Sequence, residues 1–203
     1  MTDRKQTGGR DLVGVLSRAL QAGVRAIQLR EKDLDTIEVY RLGARLLPLT
    51  RQAGAALIVN DRVDVAMALG ADGVHLTRKS LPPEEARALV GPGMLLGVSC
   101  HSLSDVREAA AGAVDFVVLG PVYATPSKAP YGPPLTPTGL SQARTACSVP
   151  MLAIGGIRAS CVPDVVHAGA DGVAVISAIL AAPDPGTATR ELLDAVARAK
   201  EVK

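Results

Sequence analysis

One phrase recurs along this chain of 203 residues: a helical stretch, a break built on Gly and a small residue, then four or five mostly apolar residues. It reads LQAGVRAIQLR, RQAGAALIVN, LGADGVHL, AAGAVDFVVLG and HAGADGVAVI in order along the chain. Glycine behind a helix supplies the left-handed conformation that closes the last turn. A short β-branched run without polar alternation reads as a strand buried on both faces. The phrase is therefore the joint between helix and strand in a repeating unit, and such a repeat folds as a parallel sheet covered by helices.

The repeat predicts seven strands, at about 26–29, 56–59, 73–76, 95–99, 116–119, 151–154 and 172–175. Helices are expected at about 10–22, 37–53, 62–69, 83–90, 103–112, 137–147, 159–168 and 186–200. Eight helices favour closure as a (β/α)8 TIM barrel over an open doubly wound sheet, and no GxGxxG or P-loop follows an early strand. Because a helix precedes the first visible strand, strand one of the barrel is expected to be truncated or nearly absent at the N-terminus. A single barrel domain spans 1–203, short beside the roughly 250 residues usual for this architecture.

Composition narrows the function. Basic and acidic residues nearly balance, 22 against 20, and the aromatics are Phe116, Tyr40, Tyr123 and Tyr131 with no Trp. Neither a basic field nor a stacking platform for nucleic acid is available. Cys100, Cys147 and Cys161 are too widely spaced for a CxxC metal pattern, and their odd number fits no disulfide framework. No apolar run reaches the roughly 18 residues of a membrane span, and no signal-type segment opens the chain. A reduced, cytoplasmic enzyme without membrane or nucleic-acid partners is expected.

In a barrel, chemistry collects at the C-terminal ends of the strands. There the sequence carries Gln28-Leu29-Arg30-Glu31-Lys32, Asn60-Asp61-Arg62, His75-Leu76-Thr77 and Ser99-Cys100-His101, and a Pro- and Gly-rich loop over 120–136 carries Thr125, Ser127 and Lys128. Arg30, Lys32 and Lys128 set three cations over one mouth, suited to a polyanion such as a diphosphate. Asp61 among them suggests Mg2+, which one or two carboxylates hold together with substrate phosphates. Gly155-Gly156 and the Ile176-Ser177 joint, at the start of a helix, offer backbone N–H groups to a second anion. His101, with an ordinary pKa of about 6.5, is an acid–base candidate, whereas His75 reads as a hydrogen-bonded core histidine.

The motifs QLREK at 28–32, NDR at 60–62, DGVHL at 72–76, GVSCHS at 97–102, GPVYATPSK at 120–128, AIGGI at 153–157 and GADGVAVISAI at 169–179 resemble the thiamine-phosphate synthase family. They are also similar to its close relative, the thiazole tautomerase (TenI) group. The resemblance implies a (β/α)8 barrel that joins an aminopyrimidine diphosphate to a thiazole phosphate, with phosphorylated small molecules as partners. By position it implies that Gln28, Arg30, Lys32, Asn60, Ser99 and Lys128 hold the first substrate. Thr125, Pro126, Ser127, Gly156, Ile176 and Ser177 hold the second. Arg30 and Lys128 are then the catalytic cations, and Asp61 is a Mg2+ ligand.

There are three departures. The family's second metal carboxylate lies just after DGVHL, where this chain has Thr77-Arg78-Lys79-Ser80; Ser80 replaces it and weakens Mg2+ binding, with Arg78 or Lys79 as a partial counter-charge. In the tautomerase branch this stretch commonly lacks the carboxylate too, and the histidine matching His101 is the acid–base residue. The thiazole tautomerase therefore stands as the alternative reading, with a non-catalytic binder of thiamine precursors as a third. Ser127 replaces a frequent Thr and keeps the hydroxyl. Finally, the family opens with an apolar strand before Thr-Asp-Arg, here Thr2-Asp3-Arg4 directly after Met1. A start upstream would complete strand one; a chain beginning at Met1 would leave two strand edges exposed, a route to a homo-oligomer.

Overall fold

The computed structural model describes residues 1–125 and 133–201. After a 3-10 turn at Arg4–Gln6, the elements run α1 (Leu12–Gln21), β1 (Ala26–Leu29), α2 (Thr36–Gln52), β2 (Ala56–Asn60), α3 (Val63–Leu69), β3 (Gly73–Leu76) and α4 (Pro83–Val90). They continue through β4 (Leu95–Cys100), α5 (Leu103–Ala111), β5 (Phe116–Leu119), α6 (Thr136–Arg144), β6 (Met151–Ile154), α7 (Val162–His167), β7 (Gly172–Ala174), α8 (Ser177–Leu180) and α9 (Pro185–Glu201). The seven strands among the described residues are parallel and paired in sequence order. This is the TIM-barrel-like α/β fold expected from the repeat.

The glycine of the repeated phrase has the expected backbone at four of its five sites. Gly23, Gly54, Gly70 and Gly169 have φ of 101, 63, 60 and 105°. Gly112 differs, with φ of −98°, because α5 ends there in an extended residue. The helix start expected at the Ile176-Ser177 joint is α8, whose four residues are too few to show a periodicity and so had no range of their own among the expected helices.

Strand alternation sorts the residues. Ile27, Leu29, Leu57, Val59, Val74, Leu76, Leu96, Val117, Leu119, Met151 and Ala153 are buried beneath the helices. The alternate residues form the other face of the sheet. There Gly97 faces His75 and Phe116 on its two neighbours, and a Cβ at Gly97 would lie 2.2 Å from the Phe116 ring and 2.7 Å from His75 Nδ1. The side chains of His75 and Phe116 fill the layer that glycine leaves open, with ring centroids 5.7 Å apart.

Strand one is indeed nearly absent, and Met1 and Thr2 stand in its place. The Met1 amine donates to Val175 O (3.1 Å), Thr2 N–H to Gln28 O (2.8 Å), and Arg30 N–H to Thr2 Oγ1 (2.8 Å). The two edges of the sheet are thereby bridged at their C-terminal ends, where open edges had been expected. Further down they stay uncovered: Ala26 is exposed and Gly172–Ala174 are half-buried. Among the described residues, no helix is long and apolar enough to cross a membrane.

Candidate active site at the barrel mouth

Gln28 and Arg30 alternate with the buried Ile27 and Leu29, so both turn to the inner face and the rim. Gln28 Oε1 is buried without a hydrogen-bond partner among the described residues. The Arg30 guanidinium is half-buried and, among the described residues, makes no ion pair. Burial pulls its pKa below the ordinary arginine value, opposed by Asp3 and Glu31, and arginine stays charged regardless. Glu31, which follows Arg30, is structural: its carboxylate accepts the Arg4 N–H on both oxygens, each at 3.1 Å, and the Arg4 guanidinium at 3.3 Å. Lys32 is exposed beyond it.

On β3, His75 is fully buried, and its Nε2 lies 2.9 Å from Ser99 Oγ on β4. Nδ1 has no partner. A buried orphan N–H is much rarer than an orphan acceptor, which assigns the proton to Nε2 and makes it the donor to Ser99. The Ser99 hydroxyl hydrogen is then available to the mouth. Burial, and secondarily the Arg30 charge, pushes the His75 pKa down to about 4, so the ring is neutral. The sequence expectation of a hydrogen-bonded core histidine holds, and its partner is a candidate substrate contact.

His101 sits exposed at the end of β4. Its Nδ1 lies 2.6 Å from Gly120 O, and its N–H donates to Asp105 at 2.7 Å. A carbonyl only accepts, so Nδ1 carries a hydrogen and Nε2 is the ring nitrogen left to meet a substrate. Asp105 also pairs with Arg78 at 2.5 Å, which turns that cation towards α5. Asn60 closes β2 opposite His75 in the register.

Asp61 follows with φ of 68°, a left-handed conformation that few residues other than glycine adopt. It is held by its N–H, which donates to His75 O at 2.8 Å. Its Oδ1 accepts a short hydrogen bond from Ser80 Oγ. Ser80 Oγ in turn accepts the Thr77 N–H at 2.7 Å and lies 3.1 Å from Thr77 Oγ1. Among the described residues, no three His, Cys, Asp or Glu side chains gather to hold a metal ion. A lone carboxylate with one oxygen already committed does not fit a resident Mg2+.

The second candidate anion site lies across the rim. The loop after β5 is zipped to the end of β6, Val122 N–H to Ile154 O at 2.9 Å and Tyr123 N–H to Gly155 O at 3.0 Å. Gly156 presses so closely on that loop that a Cβ would meet Tyr123 Cβ at 2.7 Å. Ile176 precedes α8, whose first intrahelical bonds are made by Ile179 and Leu180, leaving the Ser177 and Ala178 N–H groups for an acceptor outside the helix. Thr125 ends the described part of the loop. Pro126, Ser127 and Lys128 lie outside the described residues.

Fold and mouth together define a barrel of the enzyme type, with its polar groups at the C-terminal rim. The thiamine monophosphate synthase family model matches residues 1–179. The thiamine-phosphate synthase of Roseiflexus castenholzii is 47% identical over 198 residues, covering 98% of this chain and 87% of that protein. That of Moorella thermoacetica is 43% identical over 196 residues, covering 97% and 93%. Among solved structures, thiamine phosphate pyrophosphorylase from Pyrococcus furiosus matches with a TM-score of 0.89 at 36% identity, over 98% of this chain and 94% of that one. The chain belongs to the thiamine monophosphate synthase family.

Proposed function

We propose that this protein condenses 4-amino-2-methyl-5-(diphosphooxymethyl)pyrimidine with thiazole phosphate, giving thiamine phosphate and diphosphate. The observation that carries the reading is the half-buried Arg30 cation, without an ion-pair partner among the described residues, beside the polar Gln28, Asn60 and Ser99. Relatives at 43–47% identity named thiamine-phosphate synthase support it. Breaking the bond between the pyrimidine methylene and the diphosphate sends the electron pair to the leaving oxygen and leaves a resonance-stabilised cation. The thiazole nitrogen then attacks the methylene carbon and forms the new bond. Arg30 and Lys32, with Lys128, act by stabilising charge that grows on the departing diphosphate, a task for fixed cations in a site shielded from water.

Gln28, Asn60 and the Ser99 hydroxyl would hold the aminopyrimidine. Gly156 and the N–H groups of Ser177 and Ala178, with Thr125 and Ser127, would hold the thiazole phosphate. Mg2+ belongs to this reading as a further counter-ion for the diphosphate, with Asp61 as the protein oxygen near it. The protein would work in the cytoplasm, with no strong general base needed for the reaction.

A second reading, thiazole isomerisation, is favoured by the exposed His101 at the rim, whose Nδ1 is held by Gly120 O. The two separate on variants. If diphosphate expulsion is the reaction, His101→Ala keeps most of the diphosphate release and Arg30→Gln loses it. The opposite pattern, with thiazole isomerisation abolished in His101→Ala, would establish the isomerase.

A further inference from the structure

We propose that His75 is a positioning residue that fixes the Ser99 hydroxyl as a donor to the mouth, so that the ligand atom meeting Ser99 is a lone-pair ring nitrogen of the pyrimidine and never its amino group. The inference rests on the reading of Ser99 as an aminopyrimidine contact. His75 stands opposite Gly97 in the β3–β4 register, and Ser99 follows two residues further along the same face of β4. The ring is therefore the diagonal neighbour of the hydroxyl, with Nε2 at 2.9 Å from Ser99 Oγ. Gly97 makes this possible, since a Cβ there would lie 2.7 Å from His75 Nδ1 and 2.2 Å from the Phe116 ring. Held on that side and fully buried, the ring has Ser99 as its hydrogen-bond partner.

The direction of that bond decides what Ser99 can recognise. Nδ1 has no partner among the described residues, and a bare ring nitrogen is cheaper to bury there than an orphan N–H. Nε2–H is then the donor, and the Ser99 oxygen that accepts it keeps its own single hydrogen for another atom. Among the described residues the hydroxyl bonds to His75 alone. An aminopyrimidine offers both an amino donor and ring nitrogens with lone pairs. Its amino group against Ser99 would set two donors face to face, leaving a half-buried polar group unpaired, which is how such sites reject a ligand. Gln28 and Asn60 carry amides with a donor and an acceptor each and impose no such choice. A serine free of the histidine could turn either way.

Nitrogen NMR of the isotope-labelled full-length protein, near neutral pH and without ligand, reads the proton's place: His75 is expected to show Nε2 protonated and Nδ1 bare. Calorimetry with 4-amino-2-methyl-5-(diphosphooxymethyl)pyrimidine reads the consequence. Ser99→Ala and His75→Leu each weaken binding about three- to tenfold, the share of one neutral hydrogen bond. Together they lose no more than either alone. His75→Gln, whose amide N–H can take the place of Nε2–H, restores most of the affinity. Of the two analogues in which one ring nitrogen becomes C–H, one binds wild type more weakly by a similar factor, and in Ser99→Ala that deficit disappears. The proposal is overturned if the proton sits on Nδ1, or if the losses of Ser99→Ala and His75→Leu add. It is also overturned if neither analogue loses its deficit in Ser99→Ala. A wild type that does not bind the pyrimidine diphosphate contradicts the transferase reading instead, and the proton's place then decides the role of His75 by itself.

Discussion

The carboxylate of Asp171 accepts the Met151 N–H at 2.7 Å, and the Asp171 N–H donates back to Met151 O at 2.8 Å. The same reciprocal staple joins Asp115 to Leu96 and Asp72 to Leu57, each carboxylate bond at 2.7 Å. Each Asp opens an odd-numbered strand and holds the first residues of the strand before it. Arg144 on α6 and Arg87 on α4, the helices that lead into the stapled strands β6 and β4, pair with Asp171 and Asp115. Those ion pairs are partly exposed and contribute little by themselves.

Removing a staple therefore acts through the orphaned strand N–H. Asp171→Ala is expected to cost about 1–3 kcal/mol, and Asp171→Asn less, because the amide oxygen still accepts. Urea unfolding of the two variants beside wild type measures this. Equal losses in both would assign the effect to the ion pair with Arg144.

His75 ties stability to pH. Its pKa is about 4 in the fold against 6.5 in the open chain, so its contribution is complete above pH 6.5. It falls as the unfolded chain takes up a proton that the folded one refuses, and is exhausted below about pH 4. Between pH 7 and pH 5 the loss from this group is about 2 kcal/mol. In His75→Gln that part of the acid sensitivity should vanish, as read from denaturant midpoints at the two pH values. An unchanged pH slope would show that the ring takes up its proton equally in the folded and the unfolded chain.

Arg30 and Glu31 are neighbours with different work. Losing a charge-assisted contact to an anion costs about 1.5–3 kcal/mol, so Arg30→Gln should raise the KM for the pyrimidine diphosphate about 10- to 100-fold, and lower kcat as well because the departing diphosphate loses its counter-charge, at little cost in stability. Glu31→Gln should do the reverse, lowering stability by about 2 kcal/mol as the Arg4 segment loosens, with KM within about twofold. Steady-state kinetics and thermal unfolding on both variants check the pair. A KM effect in Glu31→Gln equal to that in Arg30→Gln would move Glu31 into the substrate site.

The barrel was legible because its repeated phrase encodes a chemical necessity, a left-handed cap followed by a strand buried on both faces, at Gly23, Gly54, Gly70 and Gly169. The aspartate in the same phrase was not read, because its partners lie 15–20 residues upstream. Such a contact leaves no mark in local periodicity. Rim residues such as Arg30, Asn60 and Ser99 were found by their position after apolar strands. The roles of Glu31 and Ser80 were not, since a carboxylate that anchors backbone and a serine that satisfies Asp61 look in sequence like a rim charge and a missing ligand. Met1 and Thr2 were read as the lack of a strand, whereas their hydrogen bonds join the two sheet edges.

The most direct measurement is release of inorganic diphosphate when the purified protein is mixed with the pyrimidine diphosphate and thiazole phosphate in the presence of Mg2+. Diphosphate and thiamine phosphate appearing in equal amounts, with release lost in Arg30→Gln, is the predicted result. A preparation that releases no diphosphate while it isomerises the thiazole, and stops doing so in His101→Ala, would contradict the account.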